Sequence, residues 1–410
     1  MQAVLLAAGA SSRFWPLMED RHKSLFVLMG KPLLQWTLES VQRAGVQEAI
    51  VVQGPERHAE AALAGAHLKL KLRFAIQPQA NGMGDALLCA EPLLKDRFFL
   101  LHPYHFDAED FLSRLAAQTK TPIVLSAQRT ERPWNYGVLQ LDGQRAVRLV
   151  EKPERGKEPS KLRVMGFYCL SKSFFDDYRT VQAHQYAFED ALQRCMDRGQ
   201  VSAVEFDQET PSLKHPWDAL HAARLMLQRF VKGQTIDPSA QVDETAVIKG
   251  DVFIGPNVKI FEHAVIKGPC YIGSGCIIGT GSLVRDHAIL EEDVLIGAHC
   301  EVTRSVFGKG ASTHSGFFGD SILCAGAKAG AGTITANVRV DRKEIKSIVK
   351  GQRTPTGLTS LGAIVGENTA LGIHTMLMPG VLIGSNCLVG PGEAVAGSVP
   401  SGARVFASRD

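Results

Sequence analysis

The chain has 410 residues, enough for two or three domains that each bury a core. Hydrophobic residues make up 45% and charged residues 21%, a globular balance that excludes a disordered polymer. Lys plus Arg number 45 against 42 Asp plus Glu, and a formal charge of +3 is too weak to point to nucleic acid or a membrane surface. No apolar run is long enough to span a bilayer, and MQAVLLAAGASSRF has neither a basic n-region nor a cleavage site. The eight cysteines form no CxxC pair and no metal-ligand spacing, so a reduced, cytoplasmic, soluble protein is expected.

The first part of the chain alternates strand-like and helix-like segments. Residues 2–7 are a continuous apolar run, as a buried parallel strand requires, and a Gly/Ser loop follows at Gly9–Ser12. Helical patterns are read over Pro32–Ala44 and Glu56–Ala64 and from near Asp85. Strands are read at Ala49–Gln53, Phe74–Gln77 and Phe98–Leu101. This alternation predicts an open α/β sheet, Rossmann-like, over residues 1–232. Pro216–Gly233 reads as a connecting helix in which Trp217 is a packing anchor.

From residue 236 the period changes to six. Ile236, Val242, Ile248, Ile254, Ile260, Ile266, Ile272, Ile278, Val284, Leu290, Ile296 and Val302 follow one another at that spacing. Small residues such as Ala264, Cys270, Cys276, Ser282, Ala288 and Cys300 stand between them. The phase breaks after Val302 and resumes at Val365. Period six fits neither a helix nor a plain strand, but it fits a parallel β-helix whose flat faces each take one hexad. That domain is expected over 236–402. The glycines after the aliphatics (Gly255, Gly273, Gly279, Gly297) are expected to adopt unusual φ.

Three elements of the first half could handle phosphate and sugar: the loop Gly9 to Arg13, the Gly-rich stretch Gln77–Ala86, and Glu151-Lys152-Pro153. Taken alone, a loop of this kind is explained as readily by a tight turn as by a nucleotide site. In the second half, polar residues gather where the hexads break, at His314–Ser321 and Gly330–Asn337. A neutral imidazole suits removal of an amine proton near pH 7, which acyl transfer from a thioester needs.

These motifs resemble known ones. LAAGASSRFWP, QPQANGMGDA, Tyr136-Gly137, Glu151-Lys152-Pro153 and Gly166-Phe167-Tyr168 resemble the sugar-1-phosphate nucleotidyltransferases in order and spacing. With His314…Phe317-Phe318-Gly319-Asp320 and GAGTITAN, the whole chain resembles the bifunctional UDP-N-acetylglucosamine pyrophosphorylase/glucosamine-1-phosphate N-acetyltransferase family, in its archaeal version. The resemblance implies a left-handed β-helix, a homotrimer with acyl-CoA sites between subunits, acetyl-CoA as co-substrate and an amino-sugar phosphate as acceptor. His314 would be the general base and Asn337 would hold the acetyl carbonyl or the incoming amine. Arg285, Arg304, Phe317 and Lys328 would surround the acceptor. Gly9, Arg13, Lys23, Gln77, Gly82, Gly137, Glu151 and Lys152 would bind a nucleotide sugar.

The sequence departs from that pattern at the metal. The family holds Mg²⁺ with two aspartates, and the matching positions here are Tyr104 and Ser212. Asp107, Glu109 and Asp218 are the remaining carboxylate candidates. Phe317 replaces a tyrosine, Thr303 a lysine and Lys328 an asparagine of the acceptor pocket. Three readings follow: an N-acetyltransferase fused to a nucleotidyltransferase-like domain that has lost its Mg²⁺, an active bifunctional enzyme making a UDP- or dTDP-sugar, or a non-catalytic sugar-nucleotide-binding scaffold.

Overall fold

A computed structural model describes residues 1–406, which fall into two compact units. The first comprises residues 1–10, 20–25 and 32–210, and the second residues 11–19, 26–31 and 211 onward.

The first unit is built on one nine-stranded sheet. Its strands lie in the order Lys71–Ile76, Glu48–Gln53, Gln2–Ala7, Arg97–Leu101, Leu162–Ser171, Ile123–Arg129, Val201–Glu205, Arg145–Glu151 and Gly137–Asp142. The first four are parallel, as their near-continuous apolar sequences predict. Leu162–Ser171 is antiparallel to both its neighbours, so the open α/β sheet is mixed. Its register shifts between Val164 and Tyr168, around Gly166 at φ +89°. His102 packs against that glycine. The helices Leu33–Arg43, His58–Leu63 and Met83–Ala90 stand where the helical periodicity put them.

The second unit is a parallel β-helix of three sheets, with eight, nine and eight strands. Three hexads complete one coil, so Ile254 pairs with Ile272 and Ile272 with Leu290. The aliphatics Ile254 to Val302 are buried in one column-like core with Ala264, Cys270, Cys276 and Cys300. This is the left-handed β-helix architecture that the family resemblance implies. Ile236 and Val242 are exposed, because the first coil pairs with a neighbour on one side only. The break in phase is a set of shortened coils: Leu290 pairs with Phe307, Val302 with Phe318 and Phe307 with Leu323. An inserted arm then separates Leu323 from its partner Val365.

The glycines after the aliphatics do not have the unusual φ expected of them; the left-handed corners are filled by residues such as Asn257, His263, Asp293 and His299. Gly279 is needed for another reason: a Cβ there would come within 2.6 Å of the Gly297 carbonyl carbon in the next coil.

Two short segments and the helix Asp218–Phe230, which includes most of the expected linker, belong to the second unit. The tie is electrostatic. The buried Glu291 carboxylate accepts the backbone N–H groups of Met29 at 2.7 Å and Gly30 at 2.8 Å. Burial raises this carboxyl to about 7 against the pull of the two amides. The folded state therefore holds the Glu291 proton more tightly than the unfolded chain. Its contribution to stability is fully present below about pH 4.5 and is lost as pH rises through 7. Glu291→Gln, which cannot ionise, should flatten the melting temperature over that interval. An unchanged pH slope in the variant would contradict this assignment.

Candidate functional site

In the first unit Gly137, Glu151 and Lys152, three of the residues expected to bind a nucleotide sugar, lie together. Gly137 pairs in register with Glu151, and a Cβ on Gly137 would lie 2.8 Å from Glu151 Oε2. Lys152, at φ +45°, places Nζ 3.4 Å from Glu151 Oε1 and 5.6 Å from the Tyr186 ring centre. Glu189 belongs to this group and was missed in the sequence, where it is one acid in an ordinary amphipathic helix. Burial, and then the charges of Glu151 and Asp190, raise it to about 7. Gln77 is buried and its amide donates to Asp85 Oδ2 at 2.7 Å and to the Gly82 carbonyl at 3.3 Å. It thereby braces the Gly-rich turn and the start of the following helix. Gly9 faces His22, whose Nδ1 lies 2.8 Å from Ser24 Oγ. Arg13 is exposed, on a segment assigned to the second unit.

Where the family pattern calls for a metal ligand, the chain has aromatic rings. Tyr104 is buried and stacks on His102 with ring centres 5.3 Å apart and planes 11° apart. Lys23 Nζ lies 5.1 Å from the Tyr104 ring centre. Burial, with the nearby His105, holds His102 at about 3, and burial with Lys23 does the same for His22. Both imidazoles are therefore neutral near pH 7.

The three candidate carboxylates have different surroundings. Asp107 is buried 3.4 Å from His105 Nδ1. Glu109 is held by Arg43 at 2.5 Å and Ser40 at 2.9 Å. Asp218 accepts the N–H groups of Lys214 at 2.6 Å and His215 at 2.7 Å, and so caps the start of its helix. Ser212 is half-buried in the loop ahead of that helix. Among the described residues no group of three His, Cys, Asp or Glu is placed to hold a metal. Hard Mg²⁺ needs oxygen ligands with charge, and this set does not fit it.

In the β-helix the site forms where the coils shorten. Asp286, Arg304 and Asp320 are left-handed corner residues of successive coils. Arg304 makes a two-pronged pair with Asp320, Nε–Oδ1 at 2.7 Å and Nη2–Oδ2 at 2.9 Å. The same carboxylate accepts the Asn337 amide at 2.6 Å and the Ser360 hydroxyl at 2.5 Å. Burial alone would raise Asp320, but the hydrogen bonds from Arg304, Ser360 and Asn337 hold it below the usual carboxylate range. The Phe317 ring and the Asn337 amide flank Gly319, each within 2.8 Å of where a Cβ would stand.

His314 is exposed at the corner just ahead of the strand Gly316–Gly319, and its backbone N–H donates to the Ala329 carbonyl at 3.0 Å. Arg285 is occupied by Glu301 at 2.6 Å and by Asp286. Lys328 lies on a different sheet from Phe317, between Ser312 and Ala370. The structure thus joins Arg304, Phe317 and Asn337 in one cluster, adds Asp320 and Ser360 to it, and leaves Lys328 apart.

A glycine-looped α/β sheet followed by a β-helix of hexads defines a transferase of two domains, nucleotidyltransferase-like and acyltransferase-like. Residues 2–218 match the Nucleotidyl transferase family, and residues 230–351 match the GMPPB C-terminal domain. Bifunctional protein GlmU of Methanocaldococcus jannaschii is 31% identical over 99% of this chain and 97% of its own. GlmU of Methanococcus maripaludis is 32% identical over 95% of this chain and 93% of its own. The bifunctional sugar-1-phosphate nucleotidylyltransferase/acetyltransferase of Sulfurisphaera tokodaii is 30% identical, over 96% and 97% respectively. The chain belongs to this GlmU family of bifunctional sugar-1-phosphate nucleotidylyltransferase/acetyltransferases.

Proposed function

We propose that the chain transfers an acetyl group from acetyl-CoA to the amine of an amino-sugar 1-phosphate or a related amino sugar. The nucleotidyltransferase-like domain, in this reading, binds a sugar nucleotide without turning it over. The single observation that carries the proposal is the Arg304–Asp320–Asn337–Ser360 network, with His314 exposed at the other end of the strand that leads into Asp320.

The network favours one of the two roles open to Asn337. Its amide nitrogen is committed to Asp320 and, at 3.5 Å, to Ser360. The reversed amide would set its oxygen against a carboxylate. The carbonyl oxygen is therefore the free end, and a carbonyl oxygen can only accept. It would accept an N–H of the incoming amine and aim the nitrogen lone pair at the thioester. His314, as neutral imidazole, takes the amine proton as the C–N bond forms and the C–S bond breaks. The proton then leaves with the CoA thiolate as the free thiol.

The test is thiol release from acetyl-CoA with a panel of amino sugars and their 1-phosphates, beside His314→Ala. Release that is equal in the variant removes the reading.

The Tyr104 cluster and the engaged Glu109 and Asp218 support loss of metal-dependent nucleotidyl transfer. Nucleotide-sugar binding should then be unchanged by EDTA, and no pyrophosphate should appear with any nucleoside triphosphate. Pyrophosphate release abolished by EDTA would restore the bifunctional reading. A homotrimer, which the resemblance implies, and a cytoplasmic location, which the cysteine usage suggests, belong to the same proposal. No described helix is long and apolar enough to cross a membrane.

A further inference from the structure

The outward face of one sheet of the β-helix carries a row of cations leading away from the Asp320 cluster. Lys249 pairs in register with Lys267, and Lys267 with Arg285. Arg285 pairs in turn with Thr303, the chain neighbour of Arg304. Adjacent strands lie about 4.8 Å apart, so the row climbs about 14 Å from Thr303 to Lys249.

Like charges side by side on adjacent strands are destabilising. At the lower end of the row the charge is neutralised, because Arg285 is paired with Glu301 and Asp286. At the upper end it is not. Lys249 and Lys267 are exposed, and among the described residues neither makes an ion pair. Asp251, two residues after Lys249, accepts the Gly233 N–H at 2.7 Å instead. Elsewhere in the β-helix an exposed lysine does find an acid, Lys309 with Glu292 at 2.5 Å.

An apolar strip runs beside the row. Val247, Val265 and Leu283 stand two residues before Lys249, Lys267 and Arg285, and alternation turns them the same way. Val247 is exposed and the other two are half-buried. Between the two columns Ile248, Ile266 and Val284 face the core. Cations along one column and aliphatics along the next suit a ligand with phosphates on one edge and a flat, weakly charged body on the other. A nucleoside diphosphate has that form.

We infer that the row is a nucleotide subsite for the acetyl acceptor, and that the preferred acceptor is a nucleoside-diphosphate amino sugar. Lys267 and Lys249 meet the phosphates, and the nucleoside lies over Val265 and Val247. This rests on the acetyl-transfer reading and narrows its substrate. The row starts at Arg285, one coil from the Asp320 cluster. A diphosphate on the anomeric oxygen begins within one sugar ring of the amine, whereas that of acetyl-CoA lies a whole pantetheine arm from the thioester. The row's place therefore favours the acceptor over the donor. The amine takes the acetyl group as C–N replaces C–S, its proton leaves with the CoA thiol, and the diphosphate stays intact.

The test compares the full chain with Lys249→Ala/Lys267→Ala, two exposed changes outside the Asp320 cluster that keep Ile248 and Ile266. UDP- and dTDP-linked amino sugars are set against the matching amino-sugar 1-phosphates, with acetyl-CoA as donor. In wild type KM should be lower for at least one nucleotide-linked acceptor than for its 1-phosphate. In the variant that KM should rise about tenfold with kcat little changed, and KM for the 1-phosphate and for acetyl-CoA should not move. The difference should shrink in about 0.5 M salt. A KM within twofold of wild type for every nucleotide-linked acceptor overturns the inference. A rise for acetyl-CoA instead also overturns it, by giving the row to the donor. So does a variant that sediments as a smaller species, since the lysines then pair with carboxylates of a second copy.

Calorimetric titration with UDP and dTDP separates the subsite from the reaction. The variant should bind one equivalent of either nucleotide about tenfold more weakly than wild type, whatever the first unit binds. If wild type releases no thiol yet that equivalent is weakened, the row stands as a nucleotide site and acetyl transfer falls. Equal binding in both proteins overturns the row.

Discussion

His314→Ala is expected to slow thiol release from acetyl-CoA by about 10²- to 10⁴-fold, the usual contribution of a positioned general base. The KM for acetyl-CoA should barely move, because an exposed imidazole at a corner is not what holds a long pantetheine arm. Stability should also be unchanged. The link between coils at this point is the backbone N–H to the Ala329 carbonyl, which alanine keeps. Activity in the alanine variant should partly return as pH is raised, since a growing fraction of amine then arrives already deprotonated. A loss of melting temperature to match the loss of activity would mean that His314 is structural.

Asp320→Ala carries the second large effect, and it should be felt in both stability and rate. The carboxylate is buried and satisfies donors from Arg304, Asn337 and Ser360 together. Removing it leaves those donors without their acceptor, at a cost of roughly 1–3 kcal/mol for the buried groups. Arg304 is partly exposed and recovers some of that by turning to water. The rate should fall by about 10²-fold, because the Asn337 amide becomes free to rotate and no longer presents its oxygen.

Asp320→Asn separates the two effects. It keeps the volume and one acceptor, so it should recover much of the stability. It replaces an acceptor with a donor facing the Asn337 and Arg304 donors, so it should recover little of the rate. Full activity in Asp320→Asn would show that the network does not orient Asn337.

The β-helix was legible because its rule is one-dimensional. An aliphatic every sixth residue states which side chains face the axis, and Ile254 through Val302 do so. The rule was silent where single residues drop out, at the pairings Val302 with Phe318 and Phe307 with Leu323. Those shortened coils carry the candidate site. The left-handed corners also differ from expectation, since Asp286, Arg304 and Asp320 take positive φ while Gly279 is small for the sake of the coil beside it.

In the first unit, the strand-and-helix alternation was readable from apolar runs. The antiparallel turn-back of Leu162–Ser171 was not, because direction in a sheet leaves no mark on a short apolar segment.

Of the candidate site, His314 and Asn337 were proposed from motif and chemistry, and the structure brings Asn337 into the Asp320 cluster. Asp320 lay inside the same motif, but only its contacts show what it does. Ser360 and Glu189 carried no local signal: each is brought to its site by distant chain, across the inserted arm or the sheet. The departure from the family's two aspartates was visible at Tyr104 and Ser212. That Glu109 and Asp218 are otherwise engaged required geometry.

One mixture tests the account most directly: purified chain, acetyl-CoA, amino-sugar 1-phosphate, nucleoside triphosphates and Mg²⁺, followed for free thiol and pyrophosphate together. The account predicts thiol without pyrophosphate, with the thiol lost in His314→Ala. Pyrophosphate without thiol would contradict it on both counts.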